Sequence, residues 1–287
     1  MKTVAIFYFS GTGNTEIVAG MIKQKFSEFQ YDVTMIRIED VLKNHLKINV
    51  ENYDLVGIGC QIIGFGTPNI VHQFIKLLPA VNGKKVFIFR TAGGVAPINY
   101  NASKLIIRKL SKKGYNVFYE RVLSIGSNWM MKFDDEIIKQ LYLATERKVA
   151  VMRNELIHGE ERFLETGTGL RILMKIVIFA ISKIIVLVGK DFKVSDSCVH
   201  CGLCVRNCPS ENIMEKDGKI KFKYSCNSCM RCVYSCPKSA INFRLLTFFP
   251  VPGGYDIEKI LSQPSDGGPL KNKIPPFFHD YVENDKL

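Results

Sequence analysis

Along the first 160 residues, short and mostly apolar runs alternate with stretches whose apolar positions recur every three or four residues. The runs lie at 3–9, 33–38, 55–60, 86–89 and 117–123. Runs of that length, broken by charge only at Arg37 and at Glu120–Arg121, predict strands buried on both faces, as in a parallel sheet between layers of helices. The stretches between them predict helices, among them 70–78, 104–110 and a long amphipathic one over 134–157. Five strands joined by right-handed crossovers make a doubly wound α/β sheet. Such a sheet binds ligands at the carboxyl ends of its strands, where the strand order reverses.

The pattern changes after residue 160. A linker opens the segment 161–195, and a very apolar run over 170–188 follows it. From Ile172 to Val188 only Lys175, Ser182 and Lys183 are polar. On a helical wheel these three fall with Arg171 and Lys190 within about a third of the circumference, which leaves a wide apolar face beside a basic stripe. Three readings stay open for this helix. It packs between domains or in a homodimer, it makes a peripheral membrane contact, or it spans a bilayer. Spanning needs about 20 apolar residues, and a central lysine opposes it by roughly 2.5–3.5 kcal/mol. The position of 170–188 between two domains favours a helix that fixes their geometry. Residues 196–244 form a cysteine-rich unit, and 245–287, with scattered Pro and Gly and little periodicity, predict an extended tail.

Eight of the nine cysteines fall in two copies of one pattern. The first is Cys198-x2-Cys201-x2-Cys204-x3-Cys208-Pro209, the second Cys226-x2-Cys229-x2-Cys232-x3-Cys236-Pro237. Three thiolates at this spacing wrap one iron–sulfur cube as the backbone turns around it. The fourth lies too far along to cap the same cube and ligates the other. Cys198, Cys201, Cys204 and Cys236 are thus assigned to one [4Fe–4S] cluster, and Cys208, Cys226, Cys229 and Cys232 to a second. Structural zinc and disulfides are the competing readings. Zinc sites usually pair two C-x2-C units across a longer gap. His200, inside the first motif, reads as a surface residue or a neighbour of the ligands, and Cys60 as structural.

Directly after the first strand, Ser10-Gly11-Thr12-Gly13-Asn14-Thr15 precedes a helical pattern. Two glycines let the chain curl, while hydroxyls and free helix-start N–H groups face inward, a phosphate cradle without a lysine. Neither the Walker spacing nor the dinucleotide G-x-G-x-x-G spacing is present. Two further loops, 60–68 and 91–94, follow the third and fourth strands. These three loops over 1–155, with the cysteine block, resemble the flavodoxin–ferredoxin fusion proteins of anaerobes, over about residues 1–245. The resemblance implies a flavodoxin-like five-stranded doubly wound sheet with FMN over 1–160, and a small α+β ferredoxin-like two-cluster domain over 196–244. It also implies that Ser10, Thr12, Gly13, Asn14 and Thr15 hold the flavin phosphate. Ile63, Gly64 and Phe65, with Thr91, Gly93 and Gly94, would line the ring. One departure is plain: many flavodoxins sandwich the flavin between a Trp and a Tyr of these loops, and this chain has neither there. Its single tryptophan, Trp129, follows the fifth strand, with Phe65 and Tyr100 as candidate substitutes.

Charge changes the picture little. The formal net charge is +12, and the anionic cofactors would lower it to roughly +6. No motif makes that charge a nucleic-acid signal. The run at 4–9 is too short for a secretion signal, so the cytoplasm is the expected compartment, with the membrane surface as the other option. The reading is an electron carrier between low-potential redox proteins. The rival readings are an FMN-dependent reductase of a quinone, nitro compound or other small acceptor, and a redox sensor or assembly factor. No acid–base constellation stands out for catalysis. Anaerobically prepared protein is expected to contain about eight irons, eight sulfides and one FMN per chain; a colourless protein with zinc would contradict this.

Overall fold

A computed structural model describes residues 1–264 and 276–284. Strands β1 (Thr3–Phe9), β2 (Asp32–Arg37), β3 (Leu55–Gln61), β4 (Lys84–Ala92) and β5 (Tyr115–Ser124) form one sheet in the order β2-β1-β3-β4-β5. All four pairings are parallel. Helices α1 (Asn14–Ser27), α2 (Ile38–Lys43), α3 (Asn69–Leu77), α4 (Lys104–Ser111) and α5 (Asp135–His158) cover it. Because β1 leads outward to β2 and the chain then crosses to β3, the order reverses between β1 and β3. β1 and β3 are buried almost throughout, as central parallel strands must be. One core, with Val18, Ile22, Phe87 and Leu141, fills the α1–α5 side, and another, with Phe7, Ile58, Val71 and Phe74, fills the α3–α4 side.

β4 and β5 begin earlier than their apolar runs. Lys84 and Lys85 ladder with Tyr115 and Asn116, and polar residues at a strand's start leave no apolar signal. The linker carries structure too: the Glu120 N–H donates to the Arg162 carbonyl at 2.8 Å and the Arg162 N–H to that of Phe118 at 3.0 Å, lengthening the sheet edge.

Helix α6 (Thr168–Ile184) runs on into a 3₁₀ turn, Ile185–Lys190. One side of it packs on the loop after β3. A Cβ on Gly64 would stand 2.4 Å from a methyl of Ile181, and one on Gly66 3.1 Å from a methyl of Ile178. Only glycine lets the loop and the helix come so close.

The cysteine-rich unit contains β6 (Phe192–Val194), α7 (Leu203–Asn207), the hairpin β7 (Ile213–Lys216) and β8 (Lys219–Phe222), then α8 (Arg231–Tyr234) and β9 (Ile241–Phe243). β6 and β9 pair antiparallel and close the unit on itself. Its small core of Val188, Phe192, Met230, Val233, Ile241 and Phe243 meets Trp129, Ile185 and Phe249.

The expected extended tail needs correction. Residues 245–287 include helices α9 (Ile257–Ser262) and α10 (Pro276–Glu283), while 265–275 and 285–287 lie outside the described residues. Ile257, Phe278 and Tyr281 enter the α1–α5 core. The Tyr281 hydroxyl accepts from the Ser124 N–H at 2.9 Å and lies 2.7 Å from the Thr145 hydroxyl. Helices this short are held by burial, so periodicity could not announce them. Phe278 is fully buried, edge-on to Phe133 with ring centroids 5.3 Å apart. Phe278→Ala is expected to cost about 3–5 kcal/mol, measured by urea unfolding of the intact protein.

Candidate functional site

At the switch between β1 and β3 the sheet's carboxyl edge opens into a cleft walled by polar and small residues. Ser10, Thr12, Asn14 and Thr15 line it from the first loop, Ile63 and Gly64 from the second, Thr91 and Gly93 from the third. The other three expected residues sit beside it. Gly13 precedes α1 with φ 95°, Phe65 lies in a turn at φ 61°, and the Gly94 carbonyl accepts from the Asn99 side-chain amide at 2.9 Å. Sequence reasoning missed Gln61 and the wall 126–129, of which only Trp129 was singled out. Tyr100 and Phe65 do not reach the cleft lining; Trp129 is its aromatic side chain.

The cradle is held from below. The Thr15 and Thr91 hydroxyls lie 2.7 Å apart, and the side-chain amide of Asn14 donates to the Gly126 carbonyl at 3.0 Å. The Asn128 amide donates to the Thr12 hydroxyl at 2.8 Å, tying the fourth wall to the loop. The Tyr255 hydroxyl donates to Asn14 Oδ1 at 2.8 Å, so the tail braces it too. The Ser10 hydroxyl and both amide atoms of Gln61 are buried on the cleft wall without a partner among the described residues. Buried polar groups are normally satisfied, so orphans at a cleft fit a polar ligand such as the flavin phosphate and ring.

The eight motif cysteines are all free thiols. Cys198, Cys201, Cys204 and Cys236, the four that the spacing assigns to one cluster, line one shared cavity. Cys229, Cys226 and Cys208 all lie close enough to Cys232 to act on its charge, as does Cys204 of the first motif. Burial pushes the Cys226 thiol up to about 12 and raises Cys229 and Cys232 as well. Without iron such thiols stay protonated, so loading a cluster must expel their protons. Among the described residues no three His, Cys, Asp or Glu side chains converge on a single ion. The two sets offer the all-thiolate donors that [4Fe–4S] cubes take, so the donor chemistry fits the clusters.

The two motifs repeat in backbone as well as in sequence. His200 and Ser228, Gly202 and Met230, Glu211 and Ser239 occupy matched positions, and all six have positive φ. These left-handed turns aim N–H groups inward. The Asn212 and Ala240 N–H groups each donate to a fourth-cysteine sulfur, Cys208 and Cys236, at 3.2 Å, and Ser228 N–H donates to Cys226 Sγ at 3.2 Å. Such bonds stabilise thiolate charge. His200 is exposed and bonded to Glu215 at 3.0 Å, away from a ligand role. Cys60 is wholly buried, and burial raises its thiol, as a structural residue requires.

The two halves meet at the phosphate loop. A Cβ on Gly11 would lie 2.3 Å from the Cys229 carbonyl oxygen and 3.0 Å from its Cβ. Cys229 thereby joins the α3–α4 core of the sheet domain. Arg231, in the second motif, donates to the Ser10 carbonyl at 2.5 Å, the Gly11 carbonyl at 3.3 Å and the Asn207 carbonyl at 3.1 Å. It also pairs with the buried Glu39 carboxylate at 2.6 Å. Asn227 Oδ1 accepts from the Ile70 N–H at the start of α3 at 3.0 Å.

A hydroxyl-lined loop at the sheet's switch point and two four-cysteine motifs thus share one body, the arrangement of electron-transfer flavoproteins that also carry iron–sulfur clusters. The family model described as "Flavodoxin domain" matches residues 5–126, and that described as "4Fe-4S dicluster domain" matches 197–241. A flavodoxin of Maridesulfovibrio salexigens is 30 % identical over 119 residues, covering 40 % of this chain and 80 % of that protein. The flavodoxin of Megasphaera elsdenii is 34 % identical over 93 residues, covering 31 % and 65 %. The chain spans less than two thirds of that flavodoxin and of the Clostridium beijerinckii one, at 63 %. Among solved structures, oxidised flavodoxin 1 of Bacillus cereus superposes with a TM-score of 0.41 at 22 % identity, over 55 % of this chain and 98 % of that one. The chain belongs to the flavodoxin family, with a ferredoxin-type dicluster domain fused behind, and its cofactors are FMN and two [4Fe–4S] clusters.

Gly11→Ala would drive a methyl into the Cys229 carbonyl. We expect FMN affinity to fall by about tenfold or more, read by flavin fluorescence titration of the anaerobic protein. Unchanged affinity would mean that the junction yields freely.

Proposed function

We propose that the chain passes single electrons between low-potential redox proteins by way of both domains, in the cytoplasm where thiols stay reduced. When bound, the clusters exchange one electron at a time and FMN one or two. The observation that carries this reading is the packing of Gly11 on Cys229 beneath Arg231. Residues 10–15 would hold the flavin phosphate through their hydroxyls and the N–H groups opening α1. Gln61, Ile63, Gly64, Thr91, Gly93 and Trp129 would set the ring and keep water from it. Cys208, Cys226, Cys229 and Cys232 would hold the inner cluster against this loop. Cys198, Cys201, Cys204 and Cys236 would hold the outer one, where exposed Cys201 and Val199 leave it open to a partner. Arg231 keeps its guanidinium between the loop carbonyls and Glu39, fixing the two halves in one geometry.

The test is anaerobic reduction from a low-potential protein donor, following flavin absorbance and cluster bleaching separately. Cys229→Ser is expected to abolish flavin reduction through the clusters. Arg231→Lys, which keeps charge but loses the forked contacts, should slow it at unchanged iron and flavin content. Equal flavin reduction in both variants would sink the proposal, and rapid turnover with a quinone or nitro compound would assign the protein as a reductase instead.

A further inference from the structure

We propose that α6 docks the protein on an anionic lipid surface, lying along the bilayer rather than through it. Thr168–Lys190 is long and apolar enough to cross a membrane, and it contains no Asp or Glu. Yet most of it is uncovered. Ile172, Ile176, Phe179, Ile184 and Leu187 all point to solvent, with Ile176 62 % and Phe179 66 % exposed. An apolar face of this extent on one helix is costly in water and marks an interaction surface.

Two observations choose the occupant. Arg171 and Lys175 are exposed along one flank of that face, and Lys183 lies over the Phe179 ring at 5.5 Å. Long basic side chains beside an apolar face suit phosphate headgroups, with their stems laid on the acyl boundary. A second copy of this chain would instead bring lysine against lysine. The opposite side of α6 is already in use. Ile178 and Ile181 fill the space over Gly66 and Gly64, and Ile185 reaches the core of the cysteine-rich unit. A helix with one side seated on protein cannot be ringed by lipid, which argues for lying in the surface. Phe248 is also exposed, its ring 4.9 Å from that of Phe249, which packs on the same core as Ile185.

Full-length holoprotein is sedimented with vesicles of phosphatidylcholine alone and of phosphatidylcholine with phosphatidylglycerol. We expect strong binding to the mixed vesicles and weak binding to the neutral ones. An Ile176→Ser, Phe179→Ser double variant should lose at least about tenfold in vesicle affinity. Arg171→Gln with Lys175→Gln should weaken binding to the anionic vesicles alone, by about fivefold per charge. All four side chains are exposed, so iron and flavin content should stay as in the parent, which separates failure here from failure of the electron-carrier reading. No sedimentation with either vesicle overturns the proposal. So does resistance to alkaline extraction, which would mean a spanning helix, or a dimer in ultracentrifugation that the Ile176→Ser, Phe179→Ser variant abolishes.

Discussion

The fork of Arg231 is the joint on which the molecule turns. One guanidinium reaches two carbonyls of the phosphate loop, a carbonyl of the first cysteine motif and a buried carboxylate. Planar, always charged and rich in donors, it suits a site where several acceptors converge and little water enters. Buried ion pairs often add little net stability, because desolvation offsets attraction. What this one supplies is geometry. It fixes the loop's backbone against Cys229, and Gly11 makes the fit close because no side chain intervenes.

Around that joint the structure spends its polar groups on orientation. Asn14 is gripped from both sides, donating to Gly126 and accepting from Tyr255. Tyr234 donates to the Asn128 carbonyl and accepts from the Val251 N–H, so the cysteine-rich unit, the fourth cleft wall and the tail share one hydroxyl. The cleft is therefore walled by four loops of the sheet domain and braced by residues more than a hundred positions away. Left-handed residues at matched positions of the two motifs turn amides onto sulfur in the same way twice.

The strands were legible because each has a short apolar stretch at its centre, even where charged residues such as Arg37, Glu120 and Arg121 interrupt it, and the ligand sets because cysteine spacing encodes a wrapping path. The first, second and third loops could be placed because each directly follows a strand. The fourth wall, 126–128, lacks glycine richness enough to stand out, and Gln61 reads as an ordinary strand end. Arg231 gave no local signal at all, since its partners at 10, 11 and 39 are far off in sequence. The tail looked extended because Ile257, Phe278 and Tyr281 are too widely spaced to show a period, and only the shared core reveals why they are apolar. The helix at 168–184 was visible as a helix, but which of its sides faces protein depends on the glycines at 64 and 66.

The seam between Gly11 and Cys229 has a consequence for kinetics. Two separate carriers must find each other by diffusion, and ionic strength governs how often charged surfaces meet in a useful orientation. Here that collision has been replaced by a covalent chain and a closed interface. On the proposed route, exchange across the seam would be first order and blind to salt, while exchange at the exposed Cys201 end would still depend on encounter. Dilution and added salt would therefore starve this protein from outside without altering the hop within.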